Sequence, residues 1–388
     1  MKLLHTSDWH VGKMMRGQSR AEEHIAVLAE ITSIAAEHKV DLILVAGDLY
    51  ETAAPGPESE RIVYRALIDL AEVAPVLVVT GNHDNAKRLA AVDPLLALGR
   101  VTMVADAVRP DEGGLIEIEA GGVPVKVAML PFVSQRSIVK ADALMADEAY
   151  ENSQEFAERM TRVIAALTAR FDGDSVNLVC AHLFAAGGLT GGGERSAHTI
   201  FDYSVPALAF PATSSYVALG HLHRNQLVPG GAPIHYCGSP LQLDFGEETD
   251  AKFVNIVDAE PGRRAKVTPV QLGAGRQLAT YRGSLGELRQ IAESMGYGPD
   301  SVPEDVPWLR IRVTETASSG LADEVRAIFG PAVVDVTVES QADGDQPARK
   351  SRRGLSPIEL FDAYCEEQEF DDSDVRSAFL ELLEANQR

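Results

Sequence analysis

The feature that most constrains the fold is a series of short apolar runs, rich in β-branched residues, that alternate with helical patterns over roughly the first 270 residues. Runs of this length and composition are typical of buried parallel strands. The pattern predicts strands at residues 2–6, 41–46, 76–80, 123–130, 176–181, 216–219, 233–237 and 253–257. It predicts helices at residues 21–38, 58–71, 86–98 and 154–170. We therefore expect a layered α/β fold over residues 1–272.

The sequence pattern changes after residue 272, and the rest of the chain divides into three parts. Predicted strands at residues 276–281, 308–313 and 332–339, with helices at 285–293 and 321–329, make a small separate α/β domain over residues 273–340. Residues 341–354 are polar with a basic cluster and are typical of a linker. Residues 355–388 predict a helical tail of two short helices, which cannot bury much apolar surface by themselves. They either fold back on the body or dock on a partner, and we favour the partner.

Polar clusters directly follow five of the predicted strands. These clusters are Asp8-Trp9-His10, Gly47-Asp48, Gly81-Asn82-His83-Asp84, His182 and Gly220-His221-Leu222-His223. Ligands of open α/β sheets bind beyond the carboxyl ends of the strands. A single D-x-H is more often a surface turn, and one histidine is more often a satisfied residue near the core. Five clusters in order at strand ends predict one functional site.

The side chains of these clusters are of the kind that bind transition metals. The candidate ligands are Asp8, His10, Asp48, Asn82, His182, His221 and His223. Imidazoles mixed with carboxylates suit Mn²⁺, Fe²⁺ or Zn²⁺ better than Mg²⁺ or Ca²⁺. Seven ligands are too many for one ion and suit two ions bridged by a carboxylate, which can clamp both oxygens of an in-line phosphoryl displacement. His83 is then a proton donor to the leaving oxygen, with Asp84 fixing its tautomer.

Net charge and cysteine content limit which partners and which cellular compartment the sequence predicts. The net charge of −22 argues against a nucleic-acid partner, but the acidic tail carries much of it and bound metal would offset part of the rest. The three cysteines, Cys180, Cys237 and Cys365, are far apart and odd in number, which predicts a reducing cytoplasm without a disulfide framework. We expect neither a membrane anchor nor a signal peptide, because the chain has no long apolar run and a strand is predicted from its first residues onward.

The ordered motifs D-x-H, G-D, G-N-H-D, H and G-H-x-H resemble the calcineurin-like metallophosphoesterase superfamily. Longer stretches at residues 8–13, 81–89, 237–247 and 356–361 resemble the SbcD-like nucleases within it. The resemblance implies a metallophosphoesterase β-sandwich flanked by helices, with a capping domain over residues 273–340. It implies a Mn²⁺-dependent nuclease that processes double-stranded DNA ends and hairpins. The partner implied is an SbcC-like ATPase bound by the tail, with a homodimer inside a heterotetramer.

The resemblance also implies a role for each matching residue. One ion would take Asp8, His10, Asp48 and His223; the other would take Asp48, Asn82, His182 and His221; His83 and Asp84 would form the catalytic pair. Phosphate contacts could come from Arg16, Lys87, Arg88 and Arg195, for which an ordinary solvated surface position is an equally good interpretation. The glycine-rich loop over residues 185–194 departs from the family pattern.

Two other functions stay open from the sequence. A small-molecule phosphodiesterase or nucleotidase could use the same two-ion centre, although the tail and the capping domain would then be unexplained. A non-catalytic scaffold on a degenerate phosphoesterase fold is disfavoured, because degenerate sites lose ligands and all seven are present here.

Overall fold

The computed structural model describes residues 1–134, 149–191, 204–298, 306–315 and 320–339. Residues Met1–Glu339 belong to one compact unit. The predicted linker at 341–354 and the predicted tail at 355–388 lie outside the described residues. No helix in these described ranges has the length and apolar character needed to cross a membrane.

Strands and helices alternate along the described chain. The strands are β1 (Lys2–Thr6), β2 (Met14–Met15), β3 (Gln18–Ser19), β4 (Leu42–Ala46), β5 (Val76–Val79), β6 (Val101–Val104), β7 (Leu115–Ala120), β8 (Val123–Leu130), β9 (Val176–His182), β10 (Tyr216–Gly220), β11 (Gln226–Val228), β12 (Ile234–Tyr236), β13 (Phe253–Asp258), β14 (Lys266–Gln271), β15 (Leu278–Gly283), β16 (Trp308–Val313) and β17 (Val333–Val338). The helices are α1 (Ala21–His38), α2 (Pro57–Val73), α3 (Ala86–Leu96), α4 (Ala149–Thr168), α5 (Leu285–Met295) and α6 (Leu321–Phe329).

Two six-stranded sheets make the body of the fold. The first has the order β14-β13-β1-β4-β5-β6, and the second has the order β11-β12-β10-β9-β8-β7. In the first sheet β1, β4, β5 and β6 run parallel, and in the second β8, β9, β10 and β12 do. Antiparallel strands adjoin both parallel stretches.

The sheets pack face to face around a shared apolar core. Leu44 of β4 and Leu178 of β9 lie in this core and are completely buried. The outer face of the first sheet packs against α1, α2 and α3, and that of the second packs against α4. Because each sheet buries both faces, its central strands are continuously apolar rather than alternating. The predicted layered sandwich flanked by helices is confirmed.

A third, parallel sheet of β15, β16 and β17 follows the sandwich and has its own apolar core. Helices α5 and α6 contribute to that core through Leu288 and Val325. Helix α5 begins with the predicted capping box, in which the Ser284 hydroxyl binds the Glu287 backbone and the Glu287 carboxylate binds the Ser284 backbone.

One face of α1 holds the segment that leads into the third sheet. The Glu30 carboxylate accepts hydrogen bonds from the backbone N–H groups of Gly273 (2.9 Å) and Ala274 (2.8 Å). The Glu23 carboxylate accepts from the backbone of Arg276 at 2.8 Å and from the Trp308 indole at 2.9 Å. The segment is therefore fixed by its main chain to a helix that packs on the first sheet.

Candidate metal centre

All five polar clusters meet at the carboxyl ends of the central strands. Asp8, Asp48 and Asn82 follow β1, β4 and β5, which are parallel neighbours in the first sheet. His182 ends β9, and His221 follows β10, which lies beside β9 in the second sheet. The order of the strands thus brings the seven predicted ligands into one place between the two sheets.

The backbone at this place adopts a conformation that is uncommon for residues with side chains. Four of the predicted ligands have positive φ: Asp8 (52°), His10 (48°), Asp48 (51°) and His221 (111°). The Asp8 N–H donates to the Gly47 carbonyl and the His10 N–H donates to the Asp48 carbonyl, both at 3.0 Å. Strained residues persist only where the surrounding structure holds them, and they cluster at functional sites.

Glycines allow the two sheets to approach each other here. A side-chain carbon at Gly220, the last residue of β10, would overlap the carbonyl oxygen of Ala46 at the end of β4. A side-chain carbon at Gly47, which has φ of 86°, would overlap the His182 ring. The ends of β4 and β10 can therefore come this close because Gly47 and Gly220 have no side chain.

The first group of donor atoms belongs to Asp8, His10 and His223, and these atoms lie within 4.8 Å of one another. All three residues are buried. The His10 Nε2 atom is buried and has no hydrogen-bond partner among the described residues. Burial lowers the pKa of His10 to about 3, against the opposing hydrogen bond of Glu51. The ring is therefore neutral at pH 7 and can offer a lone pair.

The second group of donor atoms belongs to Asn82, His182 and His221. The Asn82 Oδ1 atom lies 3.0 Å from His182 Nε2 and 2.9 Å from His221 Nδ1. The His182 Nδ1–H donates to the Ala46 carbonyl at 2.8 Å, so Nε2 carries a lone pair toward the group. Burial holds the pKa of His182 well below its usual value, and the ring stays neutral.

Asp48 lies between the two groups. Its Oδ2 atom is 3.5 Å from His10 Nε2 and 3.5 Å from His182 Nε2. Burial raises the pKa of Asp48 well above its usual value, and the nearby carboxylates of Asp84 and Asp8 raise it further. A buried centre where lone pairs and carboxylates converge without a cation is unfavourable, so the donor set fits divalent metal ions.

Two carboxylates that the sequence analysis did not single out orient the imidazoles. The His10 Nδ1–H donates to Glu51 Oε2, and the His223 Nδ1–H donates to Glu247 Oε1, each at 3.0 Å. Burial alone would raise both carboxylate pKa values, but the His10 and His223 rings and neighbouring lysines hold them at about 2. Glu51 is only three residues from Asp48, which is the one available sequence signal for it.

The ring of His83 lies beside the first group, with its centroid 4.6 Å from that of His10. Its Nδ1–H donates to the backbone carbonyl of Glu51 at 2.7 Å. The sequence predicted that Asp84 would hold this ring. The Asp84 carboxylate instead accepts backbone N–H groups of Leu49, Tyr50 and Gly81 at 3.2, 3.1 and 2.9 Å. Asp84 therefore ties together the turns after β4 and β5, since buried N–H groups need acceptors.

Of the four candidate phosphate contacts, three lie in the described residues, and two of these are paired with carboxylates. Arg16 is paired with Asp335 at 3.4 Å, and Arg88 is paired with Glu60 at 2.8 Å. Lys87 is exposed at the start of α3. Arg195 lies outside the described residues.

The sequence model of the family described as calcineurin-like phosphoesterase matches residues 1–225. The SbcD protein of the SbcCD nuclease from Bacillus subtilis (strain 168) is 33% identical over 323 residues, which cover 82% of this chain and 81% of that protein. The chain belongs to the calcineurin-like phosphoesterase family and, within it, to the SbcD nucleases.

Two further SbcD nucleases are similar over most of their length. The protein from Rhodobacter capsulatus is 34% identical over 70% of this chain and 69% of its own. The protein from Escherichia coli (strain K12) is 29% identical over 81% of this chain and 78% of its own. As a calcineurin-like phosphoesterase, the chain is a metal-dependent phosphodiester hydrolase, and its groups of buried His and Asp donors support divalent metal ions. The predicted superfamily is confirmed.

Proposed function

We propose that this phosphoesterase is the nuclease subunit of a DNA end-processing complex in repair and recombination, with an SbcC-like ATPase as its partner. Its substrates are double-stranded DNA ends and hairpins. The observation that carries the DNA substrate and the partner is the 33% identity to an SbcD nuclease over 82% of the chain. The two-ion centre is supported by Asp48 Oδ2, which lies 3.5 Å from His10 Nε2 and 3.5 Å from His182 Nε2. A carboxylate oxygen in that position suits a bridge between two cations.

Asp8, His10, Asp48 and His223 would hold one ion, and Asp48, Asn82, His182 and His221 would hold the other. The ligand set mixes imidazole with carboxylate and amide oxygen, which suits Mn²⁺, Fe²⁺ or Zn²⁺, and the resemblance to the SbcD nucleases favours Mn²⁺ among them. When bound, the two ions polarise the phosphodiester and supply a nucleophile at neutral pH.

His83 would protonate the leaving oxygen. Its Nδ1–H is committed to the Glu51 carbonyl, so the proton it can transfer is on Nε2. The ring is mostly buried, which limits the directions from which water can reach that proton. Asp84 would keep the turn of His83 in register with the turn of Asp48 through its three backbone contacts.

A cleavage assay with matched variants tests the proposal. Wild type with Mn²⁺ should cleave a labelled hairpin duplex, and Asp48→Asn should lose both cleavage and bound metal. Asp111→Asn makes the same change at an exposed position and serves as the control. Intact hairpin DNA with wild type, both alone and with the ATPase partner, would contradict the proposal. Turnover of bis-p-nitrophenyl phosphate without DNA cleavage by that complex would support the small-molecule phosphodiesterase instead.

We further propose that the chain consists of a nuclease domain over residues 1–272, a capping domain over 273–340, a linker over 341–354 and an ATPase-binding tail over 355–388. A homodimer and a cytoplasmic location also stay predictions. Co-purification of the ATPase with the full chain, and its loss from a chain ending at residue 354, would test the tail, while sedimentation of the full chain would test the dimer.

A further inference from the structure

The two groups of donor atoms differ in what holds their imidazoles. In the first group, His10 and His223 both donate Nδ1–H to a carboxylate, from Glu51 and Glu247. In the second group, His182 donates Nδ1–H to the neutral carbonyl of Ala46. A carboxylate behind an imidazole raises the basicity of the ring as a metal ligand more than a carbonyl does.

Each of these carboxylates is also paired with a lysine. Lys13 Nζ lies 3.0 Å from Glu51 Oε1, and Lys252 Nζ lies 2.6 Å from Glu247 Oε2. Glu247 is completely buried, and Lys252 is nearly so. A buried carboxylate remains ionised only when a cation compensates it, so the lysines allow both glutamates to act as anions.

The aspartates themselves do not distinguish the two groups. The Asp8 carboxylate lies with His10 and His223, but it also lies within 4.8 Å of the donor atoms of Asp48 and His182, and Asp48 reaches both groups as well. Asn82 adds only a neutral amide to the second group. The difference in negative charge around a divalent cation therefore comes from the carboxylates behind the imidazoles of the first group.

We propose that Glu51 and Glu247 are positioning residues that make the Asp8 group the tighter of two cation positions. The Asn82 group is then the weaker, exchangeable position. This inference rests on the proposed two-ion centre. It predicts that purified protein retains one ion per chain through dialysis and takes up the second only at a higher concentration of free Mn²⁺.

The test is a Mn²⁺ titration of the full chain after chelation, followed by calorimetry and by electron paramagnetic resonance of free Mn²⁺. Wild type should show two steps. Glu247→Gln and Glu51→Gln should each weaken the tighter step by about 10–100-fold and leave the weaker step unchanged. Asn82→Ala should remove the weaker step only. The matched control is Glu248→Gln, which makes the same change beside Glu247, at a carboxylate that binds Thr280 instead.

Folding can be separated from metal binding in these variants. Glu247→Gln leaves the buried Lys252 without its carboxylate, so circular dichroism must first show a folded chain. Glu51→Gln affects a pair whose side chains are 22% and 25% exposed, and it tests the same inference where folding is less at risk. Equal affinities for the two wild-type ions, or loss of the weaker step in either glutamine variant, would overturn the inference.

A titration in which the wild-type chain binds only one ion would distinguish failure of this inference from failure of the proposed function. One Mn²⁺ per wild-type chain at saturation, weakened by Glu247→Gln, would refute the two-ion centre and support the Asp8 group as the tight position. One Mn²⁺ that neither glutamine variant weakens would refute both.

Discussion

In each histidine of the centre, the contact of one ring nitrogen decides what the other can do. The Ala46 carbonyl takes the Nδ1 proton of His182, and the Glu247 carboxylate takes that of His223. The same kind of contact, to the Glu51 carbonyl, fixes the ring of His83. All three rings are buried and donate Nδ1–H, so Nε2 is the atom through which each would act, as a metal ligand in His182 and His223 and as a proton donor in His83.

Replacing His83 should separate catalysis from metal binding. We expect His83→Ala to lower the rate of DNA cleavage by about 10²–10⁴-fold, the usual contribution of a positioned proton donor. Bound Mn²⁺, measured by elemental analysis, should be unchanged. His38→Ala, in the last turn of α1, is the control. A His83→Ala chain without metal would show that His83 is a ligand.

The sequence pointed to all seven candidate ligands, because each lies at or just after the end of an apolar run. It did not reveal Glu51 or Glu247. Glu247 is 24 residues from His223 and meets it only through the fold. Carboxylates are common in the chain, and nothing in this spacing marks one as the partner of an imidazole. The partner of the His83 ring is a backbone carbonyl, which no side-chain pattern can indicate.

At the level of secondary structure, the strands that bear the ligands are also the ones that the sequence predicts best. All eight strands predicted over residues 1–272 are present, with bounds that differ by one residue or less at each end. Continuous apolar runs do not identify β7, which alternates apolar and acidic residues, or β14, which is mostly exposed and contains Pro269. Strands in the middle of a sheet are buried on both faces and leave a clear pattern, whereas edge strands do not.

The close approach of β10 to β4 gives a prediction about stability. Gly220→Ala should place a methyl group against the Ala46 carbonyl, which is rigid backbone and also binds His182. Overpacking of this kind typically costs about 1–3 kcal/mol, so urea unfolding should shift to lower concentration. Mn²⁺ affinity should fall as well. Gly99→Ala, where an added methyl group has no neighbour within 4 Å, should leave both unchanged. Wild-type stability in Gly220→Ala would mean that the strands can separate freely.

For the whole molecule, burial of histidines away from the centre links stability to pH. His24, on the inner face of α1, has its pKa lowered from 6.5 to about 4 by burial and by the charge of Arg20. Between these pH values the unfolded chain binds a proton at His24 that the folded chain does not. The free energy of unfolding therefore falls as the pH drops from 6.5 toward 4.

The contribution of His24 should be roughly 3 kcal/mol over that range, at about 1.36 kcal/mol for each pKa unit. We expect the free energy of unfolding of His24→Leu to fall less steeply with decreasing pH than that of wild type. The measurement is urea unfolding at a series of pH values after metal ions have been removed with a chelator. Removing the metal ions prevents pH-dependent metal binding from contributing to the change in stability. The same slope in variant and wild type would assign the acid sensitivity to other groups.

The attachment of the third sheet has a mechanical consequence. Glu23 and Glu30 bind backbone N–H groups of residues 273–276, so part of a force on that sheet would pass into α1 through these hydrogen bonds. Helix α1 in turn packs on the sheet whose strand ends carry Asp8 and Asp48. A pull on the third sheet would thus be shared between these backbone hydrogen bonds to α1 and the contacts that Asp335 and Thr280 make with Arg16 and Glu248, and part of it would reach the sheet that carries the candidate metal ligands.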